Sequence, residues 1–169
     1  MSQSSSLTYK IASNGIVAAI YFVLTVASTP IAYGDIQVRI AEFLMLLCFF
    51  RRDFILGVTL GCLLANFNST LGLWDVLIGT SATLLSAILI AYCTPYLWLA
   101  ALYPILVNAF VVAAELNWLL ELDYWYCVLT VGLGETIAMA VGYIIFMALK
   151  KRKGFLGVIK TNRHLDYGF

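Results

Sequence analysis

Side chains that carry charge are scarce in this chain. Only 11% of its 169 residues are Asp, Glu, Lys or Arg, whereas 63% are hydrophobic, and the mean hydropathy is +0.95. A soluble domain of this length does not have such a composition. The chain is therefore predicted to be an integral membrane protein.

The residues that many enzymes depend on are also missing. No G-x-x-x-x-G-K-[ST] phosphate loop occurs, so the chain is not expected to hydrolyse ATP itself. The single histidine, His164, lies in a basic tail, which disfavours a histidine-based metal site or catalytic triad within the membrane. The four cysteines are scattered without a C-x-x-C motif and are expected to be inert small hydrophobes. We expect no catalytic residue, no metal site and no cofactor in this chain.

Apolar stretches fill most of the sequence. Six can be drawn, at roughly 11–32, 39–50, 54–72, 75–93, 96–116 and 125–149. A transmembrane helix needs about 20 apolar residues, so five stretches qualify and the second is short. Its shortness predicts non-helical backbone around residues 33–39, packed within protein. The start, "MSQSSSLTYK", is a poor signal peptide, so the first stretch is expected to be a permanent span. The predicted fold is all-α, one domain over residues 1–169 with six transmembrane helices.

Basic residues define the predicted orientation. With six helices, one side of the membrane receives nearly all of them: Lys10, Arg51, Arg52, Lys150, Lys151, Arg152, Lys153, Lys160 and Arg163. Lys and Arg accumulate in cytoplasmic loops. Both termini, a short segment 1–10 and a basic tail 150–169, are therefore predicted to be cytoplasmic.

Acidic residues favour the opposite side. The outer half or outer loops hold Asp35, Glu42, Asp75, Glu115, Glu121, Asp123 and Glu135, with Arg39 as the one basic residue among them. Such a concentration of carboxylates would attract a cation. Acids are also free to lie outside once Lys and Arg must stay inside, and this alone accounts for Glu121 and Asp123. It accounts less well for acids within apolar helices, which are costly and indicate a functional site.

Several polar residues share predicted helix faces. Arg39 and Glu42 are three residues apart and are expected to pair, either as a structural ion pair or as part of a site. Asn108 and Glu115 are seven apart on one face of the fifth helix. Glu135 lies about 15 Å from the outer end of the last helix, where a carboxylate needs a partner, a proton or a ligand.

A second polar group lies where the third and fourth helices meet. Asn66 is near the outer end of the third helix, and Trp74 and Asp75 open the fourth. Carboxylates and amides hydrogen-bond the edge of a planar heterocycle, and a carboxylate suits the adjacent N–H donors of a guanine-like ring. Most outer aromatic residues fit an interfacial belt, but Trp74, beside Asp75, is predicted to lie in the site.

Small residues recur at four-residue spacing. The clearest rows are Gly57-x-x-x-Gly61-x-x-x-Ala65 and Gly134-x-x-x-Ala138-x-x-x-Gly142, and Gly15-x-x-x-Ala19 is a weaker case on the first helix. Such rows let helices approach closely. We expect most of them to pack within the protein and leave open that one row docks another membrane protein.

The chain resembles the queuosine-precursor transporter family. Members of this family are substrate-binding S components of energy-coupling factor (ECF) transporters. The resembling segments are "YGDIQVRIAEFL" at 33–44, "GVTLGCLLANFNS" at 57–69, "DVLIGTSATLL" at 75–85, "YPILVNAFVVAAEL" at 103–116 and "GLGETIAMAVGY" at 132–143. They cover most of the chain in order, and the first is the most specific.

The resemblance implies a function and partners. An S component is a six-helix bundle in the bacterial cell membrane that binds its substrate near the extracytoplasmic face. It works with a transmembrane coupling protein, the T component, and with two cytoplasmic ATPases that use the ATP. The implied substrate is a 7-deazaguanine, chiefly 7-aminomethyl-7-deazaguanine, which joins a guanine edge to a primary ammonium. No catalytic activity and no nucleic-acid partner are implied.

The resemblance also places residues in roles. Gln37, Arg39 and Glu42 match the first family motif, Asn66 and Asp75 match the third- and fourth-helix positions, and Asn108, Glu115 and Glu135 match polar positions of the last two helices. The implied roles put Glu135 or Asp75 on the guanine-like edge, and Asn66 and Asn108 as amide contacts. Glu115 or Glu42 would face the ammonium, with Arg39 fixing Glu42. Many S components dock through Ala-x-x-x-Ala on the first helix. Here Gly15 and Ala19 are the nearest equivalent.

Three alternatives stay open from the residues alone. The chain is an S component for another vitamin-like cation or heterocycle, a small membrane enzyme, or a purely structural bundle. The lack of histidine in the apolar stretches, of metal-ligand spacing and of a nucleophile argues against the enzyme. The polar residues Asn108 and Glu135 within apolar helices argue against the structural bundle.

Overall fold

Helices make up all the regular structure of the described residues, 3–28 and 39–159, in this computed structural model. They are α1 (Gln3–Ala27), a 3₁₀ helix (Ile40–Leu46), α2 (Leu47–Phe50), α3 (Phe54–Asn66), α4 (Leu73–Tyr92), α5 (Leu97–Leu120), α6 (Tyr124–Lys150) and α7 (Lys153–Ile159). Four of these, α1, α4, α5 and α6, are long and apolar enough to cross a membrane. Two shorter apolar segments, Ile40–Phe50 and α3, lie between the first two. The prediction of an all-α fold is confirmed for this part of the chain, whereas four helices rather than the expected five have the length of a membrane span.

The third predicted stretch, 54–72, is longer than its helix. Helix α3 has 13 residues and ends at Asn66. Two turn hydrogen bonds follow, in which the Asn68 and Ser69 amides donate to carbonyls three residues earlier, at 2.9 and 3.0 Å. Gly72 then adopts φ 62° and ψ −131°, a conformation open to glycine and strained for other residues. Turn-forming Asn and Ser therefore end the helix early, although the segment is apolar enough to extend it.

The short segment Ile40–Phe50 lies at the centre of the bundle. The 3₁₀ helix packs on α6, α1 and α4, and most of the segment is buried. Phe50 is fully buried and meets the ring of Phe155 edge-to-face, with centroids 5.8 Å apart. The predicted shortness of this element is confirmed. The predicted non-helical stretch lies outside the described residues, except Arg39, which precedes the 3₁₀ helix with φ −84° and ψ 86°.

The row Gly57-x-x-x-Gly61 packs helix α3 against α1. The Gly57 amide donates to Asn14 Oδ1 at 2.7 Å. A Cβ atom at Gly61 would lie 2.7 Å from Tyr21 Cβ and 2.9 Å from the Ala18 carbonyl oxygen, so the backbones touch only because the side chain is absent. The prediction that this row packs within the protein is confirmed.

The row on α6 is used in the same way. A Cβ atom at Gly142 would lie 2.6 Å from Phe43 Cβ, so α6 approaches the central 3₁₀ helix at this glycine. Gly15 on α1 differs, because no heavy atom lies within 4 Å of its Cβ position, and Ala19 one turn later is exposed. The first-helix row therefore faces outward.

Arg51 links several segments at the end of the bundle that lies opposite Asn66 and Asp75. Its guanidinium donates to the Asp53 carboxylate at 2.6 and 2.7 Å and to the Ile159 carbonyl at 3.0 Å. It also lies over the Phe54 ring, 4.0 Å from the centroid, and is buried. The sequence identified Arg51 only as a marker of orientation, and the structure gives it a packing role at the α7 end.

We predict that Gly61→Ala destabilises the bundle by about 1–3 kcal/mol, because the added methyl group forces α1 and α3 apart. The matched control is Gly15→Ala, where open space surrounds the new methyl group. Thermal unfolding of both variants in detergent measures the difference. Equal melting temperatures would contradict the close contact of α1 with α3.

Candidate functional site

A buried ion pair joins the central segment to α4. Arg39 NH2 donates to both carboxylate oxygens of Asp75, at 2.9 and 3.1 Å. Arg39 NH1 donates to Asn66 Oδ1 at 3.2 Å, and Asn66 Nδ2 donates to the Asp75 carbonyl at 3.0 Å. Asp75 and Asn66 are each 1% exposed. Three residues that the sequence assigned to the site therefore hold one another in a closed hydrogen-bonded network.

The predicted pairing of Arg39 with Glu42 is wrong within the described residues. A three-residue spacing brings side chains together on a continuous helix, whereas Arg39 lies before the 3₁₀ helix in a non-helical conformation. Glu42 Oε1 instead accepts a hydrogen bond of 2.6 Å from the Tyr21 hydroxyl of α1. Tyr21 was missed by the sequence reasoning, although a tyrosine inside the apolar run of α1 was a signal that could have identified it.

Gly79 makes room for the ion pair. A Cβ atom at this position would lie 2.5 Å from Asp75 Oδ1 and 3.0 Å from Asn66 Nδ2. Sequence reasoning also missed Gly79 as part of the site. The spacing was a signal that could have identified Gly79. Asp75, Gly79 and Thr83 follow one another at four-residue intervals, so they share one face of α4.

A second polar pair joins α5 to α6. Asn108 Nδ2 donates to Glu135 Oε1 at 2.9 Å, and the two residues are 4% and 3% exposed. Both were predicted site residues from separate helices, and the fold brings them together. Asn108 thus donates a hydrogen bond to one of the two carboxyl oxygens of Glu135.

Between these two groups lies a narrow cavity. Its wall is formed by Arg39, Glu42, Gly79, Thr83, Asn108, Val112, Val131 and Glu135. The space holds about one water molecule. Four residues predicted for the site, Arg39, Glu42, Asn108 and Glu135, therefore meet around one space.

Unpartnered carboxyl oxygens are the most informative feature of this region. Glu42 Oε2, Glu135 Oε2 and both oxygens of Glu115 are buried without a hydrogen-bond partner among the described residues. Buried polar atoms normally have a partner, since leaving one unpaired costs about 1–3 kcal/mol or more. Oxygens of this kind accept hydrogen bonds from N–H donors or pair with a cation. These oxygens are therefore the candidate ligand contacts of this region.

One predicted site residue, Trp74, lies away from the cavity. Trp74 is 46% exposed and stacks edge-to-face on Trp118, with ring centroids 4.8 Å apart. It immediately precedes Asp75, so on a helix its side chain projects about 100° away from the ion pair, and it forms no part of the described cavity wall. Gln37 lies outside the described residues. No cluster of three or more His, Cys, Asp or Glu suited to a metal ion occurs within residues 3–28 and 39–159.

Comparison with known proteins identifies the family. The family model described as "QueT transporter" matches residues 11–151. The chain belongs to the QueT transporter family. It is 33% identical to the queuosine precursor transporter QueT of Lactococcus lactis subsp. cremoris (strain MG1363), over 87% of this chain and 95% of that protein. No solved structure matches the chain. The resemblance to this family is thereby confirmed, and the chain is a transporter rather than an enzyme.

The Arg39–Asp75 pair of this QueT-family protein gives a stability prediction. Replacing one member leaves a buried unpaired charge, so Arg39→Met and Asp75→Leu should each destabilise the protein by about 3–5 kcal/mol. The double variant should be more stable than the sum of the two losses predicts, because neither charge then remains. A double-mutant cycle on thermal unfolding in detergent measures this coupling. Additive losses would show that the two charges do not depend on each other.

Proposed function

We propose that this protein is the S component of an ECF-type importer, and that it binds 7-aminomethyl-7-deazaguanine near the extracytoplasmic face. The observation that carries the proposal is the set of unpartnered oxygens of Glu42, Glu115 and Glu135. The proposed ligand matches them with a guanine edge, which presents adjacent N–H donors, and with a primary ammonium. The precursor-transporter name of the Lactococcus relative supports a substrate of this class.

We assign the donor edge of the proposed ligand's ring to Glu135 and Glu42 in the cavity wall. Each has one oxygen held by the protein, through Asn108 and Tyr21 respectively, and one oxygen left to accept from the ligand. This arrangement fixes each carboxyl group before the ligand arrives, which reduces the cost of ordering it on binding. Asp75 and Asn66 are assigned a supporting role here, since Arg39 already occupies them. The wall must move apart to admit a bicyclic base, because the space holds about one water molecule.

The proposed topology follows from charge. Six membrane segments would place the polar site in the outer half and both termini in the cytoplasm of a bacterial cell membrane, since Arg52 and Lys150–Lys153 lie at the opposite end. A T component and two cytoplasmic ATPases would supply ATP-driven transport, because the chain lacks a phosphate-binding loop.

An S component for another vitamin-like cation is the second candidate. The unpartnered carboxyl oxygens favour a cation with several donors but do not require a guanine edge. A ligand with one ammonium and a different ring would satisfy Glu115 equally well. The comparison of ligands below separates the two candidates.

The first test is calorimetry on the purified chain. We expect 7-aminomethyl-7-deazaguanine to bind and guanine to bind at least about tenfold more weakly, since guanine lacks the ammonium. Glu135→Gln should weaken binding of the aminomethyl base by about tenfold or more, because glutamine has a single carbonyl oxygen and cannot accept from both Asn108 and the ligand. Isothermal titration in detergent measures all three affinities.

The control for this variant is Glu121→Gln. Glu121 is an exposed acid that ends α5 with φ 57°, so its replacement removes a negative charge from the same end of the protein without altering the cavity. We expect the affinity to change by less than about twofold, as for a screened surface charge. If the unmodified protein binds neither base, the substrate assignment fails, and other cationic heterocycles become the candidates.

Docking to the T component is tested separately at the outward-facing row of α1. Gly15→Leu with Ala19→Leu should abolish uptake of labelled base by cells that contain the whole transporter, because bulky residues prevent close helix approach. Binding to the purified chain should persist, since neither position packs within the protein. Val23→Leu, also exposed on α1, is the control. Full uptake by the double variant would place the docking surface elsewhere.

A further inference from the structure

Two adjacent arginines at the α7 end of the bundle have different surroundings. Arg51 is buried, and its guanidinium donates to the Asp53 carboxylate and to the Ile159 carbonyl. Arg52 is exposed. Its side chain forms no hydrogen bond or ion pair within the part of the chain that the structure describes, and its one contact there is with an aromatic ring. The charge of Arg52 is therefore open to a partner from outside the chain.

The Tyr92 ring holds the Arg52 guanidinium in place. The Cζ atom of Arg52 lies over this ring, 4.8 Å from its centroid. A cation–π contact uses the face of the ring and requires none of the N–H donors of arginine. Two of those donors match two oxygens of a phosphate group in a fixed fork geometry. Arg52 is thus positioned by Tyr92 and keeps its donors for an anion with several oxygens.

Exposed aromatic side chains flank the short connection from α4 to α5. Tyr92 ends α4, and Tyr96 and Trp98 lie at the start of α5 with their rings stacked, centroids 6.2 Å apart. All three are exposed, and the Tyr96 amide donates to the Thr94 hydroxyl at 3.1 Å, which orders the connection. Tyrosine and tryptophan are typical of the headgroup level of a bilayer. These residues therefore place Arg52 at the depth of lipid headgroups.

The charge at this end of the bundle favours an anionic partner. The exposed basic residues there are Lys10, Arg52, Lys151 and Arg152. Asp53, at the same end, is paired with Arg51 at 2.6 Å and so offers little opposing charge. The other end exposes Glu121 and Asp123 instead. An anionic headgroup is therefore attracted to the α7 end and repelled from the opposite end.

We propose that Arg52 and Tyr92 form a binding site for the headgroup of an anionic phospholipid, in the leaflet at the α7 end. The guanidinium donates to the phosphate oxygens, and Tyr96 and Trp98 lie beside the glycerol. A zwitterionic lipid offers the same phosphate but adds a cation, which the basic residues of this end repel. The site lies at the opposite end from the cavity, so the proposal does not depend on which ligand is transported.

A general bias of Lys and Arg toward one side of the membrane is the competing explanation. It accounts for the positive charge of this end without any bound lipid, and it makes the exposed basic residues there equivalent. The contact with Tyr92 instead singles out Arg52. Lys10 carries the same charge on an exposed position of α1, so it provides the matched control.

Native mass spectrometry of the purified chain in a neutral detergent tests the site with phosphatidylglycerol and phosphatidylcholine of identical acyl chains. We expect phosphatidylglycerol to bind at least about fivefold more tightly, the ratio that one basic residue beside an anionic surface gives. Arg52→Gln should lower this preference by at least about threefold. Arg52→Lys should retain part of it, because lysine keeps the charge but loses the fork geometry. Lys10→Gln should change it by less than about 1.5-fold, as for a screened surface charge.

Variants of the ring complete the experiment. Tyr92→Phe should keep the lipid preference, since the ring face remains, whereas Tyr92→Leu should lower it by about twofold. Thermal unfolding shows which variants are folded, and Tyr92→Leu decides if Arg52→Gln is not. Equal binding of the two lipids by the unmodified protein would overturn the proposal, as would equal losses in Arg52→Gln and Lys10→Gln. Displacement of the lipid by millimolar inorganic phosphate would also overturn it, because free phosphate would then be the ligand.

Discussion

The buried ion pair between Arg39 and Asp75 is the interaction on which the site depends. It links the start of the central segment to the first turn of α4, and Asn66 fixes it from the end of α3. Three elements that are distant in sequence are thus held at one point inside apolar surroundings. The pair is possible because Gly79 has no side chain, since even a methyl group would meet Asp75 Oδ1. A buried charge pair of this kind contributes little net stability but strongly penalises any arrangement that separates its members.

Around this fixed point the acidic residues divide into two groups. Asp75 is neutralised and fully hydrogen-bonded within the protein, which suits a scaffold. Glu42, Glu115 and Glu135 keep unpartnered oxygens, which suits contact with a ligand. The same residue type thus has different roles because its neighbours differ. Tyr21 and Asn108 hold two of the three carboxyl groups in place, so the candidate site is partly organised by the protein itself.

The helix packing explains how this polar region is tolerated in so apolar a chain. Gly57, Gly61 and Gly142 bring α3 and α6 close to their neighbours, and the central segment Ile40–Phe50 fills the middle of the bundle. Close packing shields the polar groups from the surrounding apolar phase, where unpaired backbone and side-chain groups would be costly. Helix α1 contributes Tyr21 to the site while its exposed face, with Gly15 and Ala19, remains outside the packed interior. One helix therefore connects the candidate site with the surface proposed for docking.

Local sequence alone determined the membrane character, the all-α fold and the short second element. The hydrophobicity and the length of an apolar stretch can be read from consecutive residues, without knowledge of the tertiary structure. It also selected Arg39, Glu42, Asn108 and Glu135, since polar residues in apolar helices are rare and costly. Pairing was decided by tertiary structure. Spacing suggested Arg39 with Glu42, but a non-helical residue at position 39 turned Arg39 toward Asp75, 36 residues away. The roles of Tyr21 and Gly79 and the outward position of Trp74 likewise depend on which helix faces meet, and long-range packing sets that outcome.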